Sequence, residues 1–232
     1  MDKKIIAVVE DDASLLENYT EALEKYGYIS IGFQTREAAE QSFSKYLPDL
    51  VIIDVELNNE PEGGFTLCQY LRSKSTTLPI IFLSARDHKI DITSGFRLGA
   101  DDYIVKNTSI DLILVRITAL FNRLEARFKN ENVLNQISEI GRLIIDRPRM
   151  QVSWDQKLVN VTVTEFWLLS SLIKKPGVVK SKEELIKEAH LSIDESTITT
   201  AIKRIRDKFC IIDSKFDALK TKYSAGYYWE EA

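Results

Sequence analysis

Five short apolar runs rich in β-branched residues, Ile5–Val9, Ile29–Phe33, Leu50–Ile53, Ile80–Leu83 and Tyr103–Val105, recur through the first half of the chain. Between them lie helix-period segments at Ala13–Tyr26, Thr35–Tyr46, Phe65–Ser73, about Lys89–Leu98, and a long one from about Ser109. Short strands that are apolar throughout bury both faces, which a parallel sheet covered by helices on each side allows. The alternation therefore predicts an α/β, doubly wound, five-stranded parallel domain. In such sheets ligands bind beyond the carboxyl ends of the strands, where the strand order reverses. Those ends are the place to look for chemistry.

At 232 residues the chain is long enough for a second domain. Its charge divides unevenly. Residues 1–122 carry 12 Lys and Arg against 19 Asp and Glu, a net of −7, whereas residues 123–232 carry 19 against 16, a net of +3. An acidic half joined to a mildly basic one suggests two tasks, the second facing a polyanion. No apolar run approaches the roughly 18–20 residues of a membrane span, and MDKKIIAVVEDD lacks the pattern of a signal peptide. Cys68 and Cys210 stand far apart, which supports neither a disulfide framework nor a zinc cluster. The expectation is a cytoplasmic protein with no membrane partner.

The strand ends are informative. The first closes on Glu10-Asp11-Asp12, the third on Asp54, the fourth on Ser84 and the fifth on Lys106. Clustered carboxylates repel and resist ionisation unless a cation sits among them. An oxygen-only donor set favours a hard ion, and Mg²⁺ uses one or two carboxylates while keeping several waters. A nearby ammonium and hydroxyl suit a phosphoryl group, with the metal shielding Asp54 from an incoming donor. Solvated strand ends or helix caps explain any one of these residues, but poorly explain all four positions together.

The blocks VVEDD, PDLVIID, IFLSAR and LGADDYIVK, in this order over residues 3–125, resemble the signatures of a response-regulator receiver domain, a flavodoxin-like fold. By that resemblance Asp54 accepts the phosphoryl group, and Glu10, Asp11, Asp54 and the backbone carbonyl of Glu56 hold Mg²⁺. Ser84 follows the phosphoryl oxygen, Lys106 pairs with it, and Tyr103 is the aromatic that turns inward. Three departures stand out. Asn107 replaces the proline that usually follows the lysine through a cis bond, so either a trans bond with an adjusted Lys106 or stored strain is expected. The loop Val55–Gly64 is about two residues longer than usual, with Asn58 where proline is common. On the dimer face, Ile92 and Leu112 stand where relatives place an ion pair, beside a charge set of Asp101, Asp102, Arg116 and Arg123.

Leu120, Leu124 and Phe128 recur at four-residue spacing, so residues 126–140 read equally as a continuation of the last helix or as a polar tether. Beyond them, Leu143–Ile145, Gln151–Trp154 and Leu158–Val161 are strand-like. A helix opens at Val163-Thr164-Glu165 with Thr164 as its expected N-cap, and Ser181 with Glu184 forms a capping box for a second. A third covers about Ser196–Phe209, with Ile198, Ile202, Ile205 and Phe209 on one stripe. Its other side shows Ser196, Thr200, Lys203 and Arg204, hydroxyls and cations of the kind that contact phosphates and bases. A solvated face is the plain alternative.

TEFWLL, PGVVKSKEEL, TITTAIKRIRDKF and KTKYSAGYYW resemble the α+β winged helix-turn-helix effector domain of OmpR/PhoB-type regulators, over about 142–229. That resemblance makes Thr197, Lys203, Arg204 and Arg206 DNA contacts and puts Thr221 and Lys222 on the wing. Tyr223-Ser224 stands where relatives place Arg-Gly, and Asp207 where a basic residue is frequent. The missing proline and the TEFW block also resemble regulators encoded beside bacterial sortase systems.

The implied organisation is a receiver over 1–125, a linker over 126–140 and a DNA-binding domain over 141–232. The implied function is a phosphorylation-controlled bacterial transcription regulator, a switch rather than an enzyme. It takes its phosphoryl group from a sensor histidine kinase, forms a homodimer when phosphorylated, and binds double-stranded promoter DNA, with RNA polymerase as a further contact. Two other readings stand beside it. One is a phosphorylation-independent DNA-binding regulator; the other is a phosphatase or phosphotransferase working through an aspartyl phosphate at Asp54, which leaves residues 142–229 unexplained.

Overall fold

The computed structural model describes residues 3–58, 60–129, 137–189, 191 and 195–231. They form two compact units, 1–118 and 119–232, dividing earlier than the boundary expected at residue 125.

The first unit alternates β1 (Ile5–Val9), α1 (Ala13–Lys25), β2 (Ile29–Phe33), α2 (Arg36–Phe43), β3 (Leu50–Ile53), α3 (Gly63–Lys74), β4 (Ile80–Ser84), α4 (Lys89–Leu98), β5 (Asp102–Val105) and α5 (Ile110–Lys129), the last running on past residue 118. The strands are all parallel in the order β2-β1-β3-β4-β5. β3 and β4 are buried along their whole length, as their unbroken apolar runs require. β2, at the sheet edge, leaves Ile29 and Ile31 exposed. The order reverses between β1 and β3, so the carboxyl ends of these two neighbours open the crevice. Asp12 caps α1 by accepting from Ser14 N and Leu15 N, which sharpens the exit from β1. Thr35 caps α2 through Ala38 N.

In the second unit, β6 (Ile137–Ile140), β7 (Leu143–Asp146), β8 (Gln151–Trp154) and β9 (Lys157–Val159) form an antiparallel sheet in sequence order. Asp155 and Gln156 join the last two with φ of 48° and 63°, the doubly positive pair of a type I′ hairpin turn. Three helices follow, α6 (Val163–Leu172), α7 (Lys182–Glu188) and α8 (Glu195–Ile212), then the hairpin β10 (Leu219–Lys222) and β11 (Gly226–Trp229). This is the winged arrangement expected. Its core centres on Trp154, Phe209, Phe216 and Trp229, whose rings meet at 4.4–6.0 Å.

Two local expectations are corrected. Strand β6 occupies the end of the expected linker; four residues of alternating burial (Ile137 and Glu139 exposed) gave too short a pattern to register beside the turn at Gly141. Residues 130–136 of that linker lie outside the described residues. The N-cap of α6 is Thr162, not Thr164: Thr162 Oγ1 accepts from Glu165 N while Glu165 reaches back to Thr162 N at 2.8 Å. Thr164 is buried inside the helix. The Ser181–Glu184 capping box on α7 has the expected form.

The wing is seated by its glycine. Lys180 exchanges both backbone hydrogen bonds with Tyr227 at 2.8 and 2.9 Å. Gly226, at φ 141°, passes so close that a Cβ would sit 1.9 Å from the Lys180 carbonyl oxygen, so only glycine fits.

Candidate functional site

Glu10, Asp11 and Asp54 emerge from the ends of β1 and β3 with one carboxylate oxygen from each lying within 4.8 Å of the others. Glu10 is 2% and Asp54 6% exposed. Asp54 N donates to Val9 O at 2.9 Å, which extends the β1–β3 ladder and fixes the start of the following loop. Gly64, opening α3, lets that loop close: a Cβ there would lie 1.9 Å from the Asp54 carbonyl oxygen.

From the end of β5, Lys106 Nζ donates to Asp54 Oδ2 at 2.6 Å and to Glu10 at 2.7 Å. The Lys106–Asn107 bond is trans, since no cis peptide bond occurs among the described residues, and the ammonium still reaches both acids. Burial depresses the Lys106 pKa, but Asp54 and Glu10 together hold it above its ordinary value. Burial raises the Glu10 carboxyl, against the pull of Lys106. One ammonium among three carboxylates leaves net negative charge in a poorly solvated crevice. The donor set is all hard oxygen, so the residues fit a small divalent cation such as Mg²⁺. The Glu56 side chain points elsewhere, to Arg86 at 2.7 and 3.0 Å, leaving its backbone carbonyl for such a role.

Ser84, 1% exposed, ends β4, and its Oγ accepts from Arg86 N at 3.3 Å. Tyr103 is 7% exposed and turned inward, with its hydroxyl donating to Arg86 O at 2.9 Å. Burial pushes its phenol up to about 12. Arg86 carried no role in the sequence reading, although it stands in IFLSAR. Its guanidinium joins Glu56, Asp91 and the Pro61 carbonyl, tying the loops after β3 and β4 together.

The expected dimer face needs correction. Asp101 is fully buried, held by Arg72 at 2.9 Å and Ile80 N at 3.1 Å. Asp102 is 2% exposed and bonded to Arg116 of the same chain, and Arg123 is buried. These charges are drawn into the fold because burial there is possible only with a partner. Alongside exposed Lys89, Arg97 and Asp111, α4 and α5 leave an apolar set outside: Ile90, Ile110, Leu112 and Val115 are exposed, with Ile92 half-buried.

In the second unit the outward side of α8 carries Glu195, Thr199, Lys203 and Asp207, offset from the side read in the sequence. Thr197 is 3% exposed and faces the core, so it drops out as a DNA contact. Arg204 is corrected as well: it is paired at 2.9 Å with Glu165, which is completely buried and also holds Lys208 at 2.5 Å. Arg206 donates to Leu219 O and Thr221 Oγ1, both at 2.8 Å, tying α8 to the wing. Ser196 and Thr200 are half-buried, while Lys203, Thr221 and Lys222 are exposed. Thr199, which the sequence reading did not name, is exposed on the outward side beside Lys203. Lys182, Lys222 and Thr221 line a groove of about 390 Å³ between the wing and the starts of α7 and α8.

Comparison with known proteins joins these two sites. Residues 6–118 match the response regulator receiver domain, and residues 155–229 match the C-terminal domain of transcriptional regulatory proteins. The sensory transduction protein BceR of Bacillus subtilis is 32% identical, covering 97% of this chain and 96% of the relative. The transcriptional regulatory protein BaeR of Escherichia coli is also 32% identical, over 97% and 92%. Among solved structures, the response regulator DrrB of Thermotoga maritima, an OmpR/PhoB homolog, aligns with a TM-score of 0.52 at 25% identity over 99% of this chain and all of that one. A RitR mutant shares the fold with a TM-score of 0.76 at 20% identity over 99% and 100%. Among the described residues, no helix is long and apolar enough to cross a membrane.

Proposed function

Because the chain belongs to the OmpR/PhoB-type response regulators, transcription regulators with a receiver domain and a DNA-binding domain, we propose that its switch is phosphoryl transfer to Asp54 from a sensor histidine kinase. The observation that carries this is the placement of Asp54: it closes β3 at the reversal of strand order, shares the acidic cluster with Glu10 and Asp11, and accepts Lys106 Nζ at 2.6 Å. Asp54 attacks the phosphorus, a P–O bond forms, and the P–N bond to the donor histidine breaks with the electrons leaving on nitrogen. Glu10, Asp11, Asp54 and the Glu56 carbonyl would hold Mg²⁺, which would supply charge neutralisation for the transferring group.

The product adds about −1.5 to −2 charge at neutral pH. Lys106, already bonded to Asp54, balances part of it. Ser84 turns its hydroxyl from Arg86 N toward a phosphoryl oxygen, with Tyr103 already turned inward beside it. That change spreads along β4, β5 and α4 to the apolar face of Ile90, Leu112 and Val115, which pairs with a second copy. Two DNA-binding domains then occupy neighbouring half-sites on promoter DNA, with Lys203 and Lys222 on phosphates. RNA polymerase is the further partner of the bound dimer, and the protein works as a switch in the cytoplasm rather than as an enzyme.

Selection of bound fragments from genomic DNA, with and without acetyl phosphate and Mg²⁺, tests the reading. Enrichment of a small set of paired half-sites only after phosphorylation is expected. The same set with the same occupancy without phosphodonor would replace it with phosphorylation-independent binding.

A further inference from the structure

The loop between β3 and α3, longer than the motif requires, is stitched down at three points beside the carboxylates. Asn58 N donates to Asp11 Oδ2 at 2.8 Å, and Asn58 Nδ2 donates to Gln34 O at 3.1 Å. Asn58 takes φ 51° to do so, a left-handed conformation that asparagine tolerates better than most residues. Next to it Leu57 is buried, and Leu57 and Glu60 exchange backbone hydrogen bonds at 3.2 and 2.9 Å. Glu60 in turn receives Arg36 Nε at 2.8 Å and Nη2 at 3.2 Å in a two-pronged contact. Arg36 opens α2 and is fixed there by Glu37 and Glu40 as well.

From this chain of contacts we infer that the loop is a clamp on the metal carboxylate, with Asn58, Glu60 and Arg36 as positioning residues for Asp11. The Asn58 amide takes one lone-pair direction of Asp11 and fixes the carboxylate rotor. A donor to a ligating carboxylate fixes its orientation and so contributes to metal affinity. The Arg36–Glu60 contact keeps that amide in place from the neighbouring helix. Glu60 has no other role in the site, and its loss leaves Arg36 with two acids, so α2 keeps its first turn.

The inference rests on the proposed Mg²⁺ site. It is tested on the full chain by direct binding of Mn²⁺ followed by electron paramagnetic resonance, with Mg²⁺ as competitor, in the wild type and in Glu60→Ala, Arg36→Ala, Arg36→Lys and the double alanine variant. Thermal melting checks the fold of each. Loss of a direct outer-shell partner commonly lowers metal affinity about 10–100-fold; one step further out, about three- to tenfold weaker binding is expected for Glu60→Ala and Arg36→Ala. The double variant should be no weaker than either single one, because both break one contact. Arg36→Lys should fall between, and it decides the matter if an alanine variant unfolds. At saturating Mg²⁺ the rate of labelling by acetyl phosphate should return to within about twofold of the wild type, since a positioning contact acts through metal occupancy. Unchanged or tighter binding in the folded variants, or additive losses in the double one, would overturn the clamp. A wild type that binds neither ion would instead overturn the metal site itself.

Discussion

The Arg204 guanidinium lies 2.9 Å from the carboxylate of Glu165, which is wholly buried and also receives Lys208. An arginine at the middle of the recognition helix is thus an anchor holding α8 against α6. Replacing Glu165 by glutamine leaves two cations without their counter-charge. Breaking a buried pair in this way costs about 3–5 kcal/mol, and the partial exposure of Arg204 and Lys208 puts the expected loss near the lower value. All three tryptophans, Trp154, Trp167 and Trp229, lie in the second unit, so fluorescence during urea unfolding reports on it selectively. A change below about 0.5 kcal/mol would remove the anchor. Arg204→Met should lower binding to specific and scrambled duplexes alike; a loss confined to the specific duplex would return Arg204 to base reading.

Lys203 and Lys222 are exposed on α8 and the wing, and each should neutralise one phosphate. Alanine at either position is expected to weaken all sequences similarly and to reduce the salt slope of binding by about one unit. Fluorescence anisotropy across a range of salt measures that slope, and an unchanged slope would place the lysine off the DNA.

Burial raises the Glu10 pKa above 4.5 despite Lys106 beside it. The folded state therefore binds this proton more tightly than the unfolded state, and stability falls as pH rises through the folded pKa. Glu10→Gln should melt higher than the wild type near pH 7 without Mg²⁺. The difference should shrink as the pH falls toward 4.5. Calorimetry with added Mg²⁺ should stabilise the wild type more than the variant. A variant that melts lower than the wild type at pH 7 would reverse the sign of the burial argument.

Leu112 is 46% exposed, whereas Arg116 is bonded to Asp102 within its own chain. With beryllofluoride as phosphoryl mimic, sedimentation velocity should show Leu112→Asp weakening dimerisation more than Arg116→Ala. Arg116 is already engaged by buried Asp102 within its own chain, while an aspartate in an apolar contact costs its desolvation. The reverse order would give the interface to the charges.

The strands and the acidic crevice were legible because they depend on local pattern. Unbroken apolar runs set the parallel sheet, and the residues that end them had to converge at the strand-order reversal, which brought Glu10, Asp54 and Lys106 together. What depends on tertiary partners was not legible. Nothing local to Asp101 reveals that Arg72 claims it, and nothing beside Arg204 reveals Glu165, 39 positions earlier. The face of α8 was placed from its apolar stripe, yet Thr197 borders that stripe and is buried, while Thr200 is half-buried. The Val55–Gly64 loop stood out in the sequence, but its hold on Asp11 through Asn58 needed the fold.

The central claim is that Asp54 is the phosphoacceptor, and intact-mass spectrometry tests it most directly. Wild type and Asp54→Ala are incubated side by side with acetyl phosphate and Mg²⁺. The wild type should gain one phosphoryl group and no second, and should gain none when Mg²⁺ is chelated before the donor is added, while Asp54→Ala gains none under either condition. An Asp54→Ala protein that takes up the same single group would contradict the account.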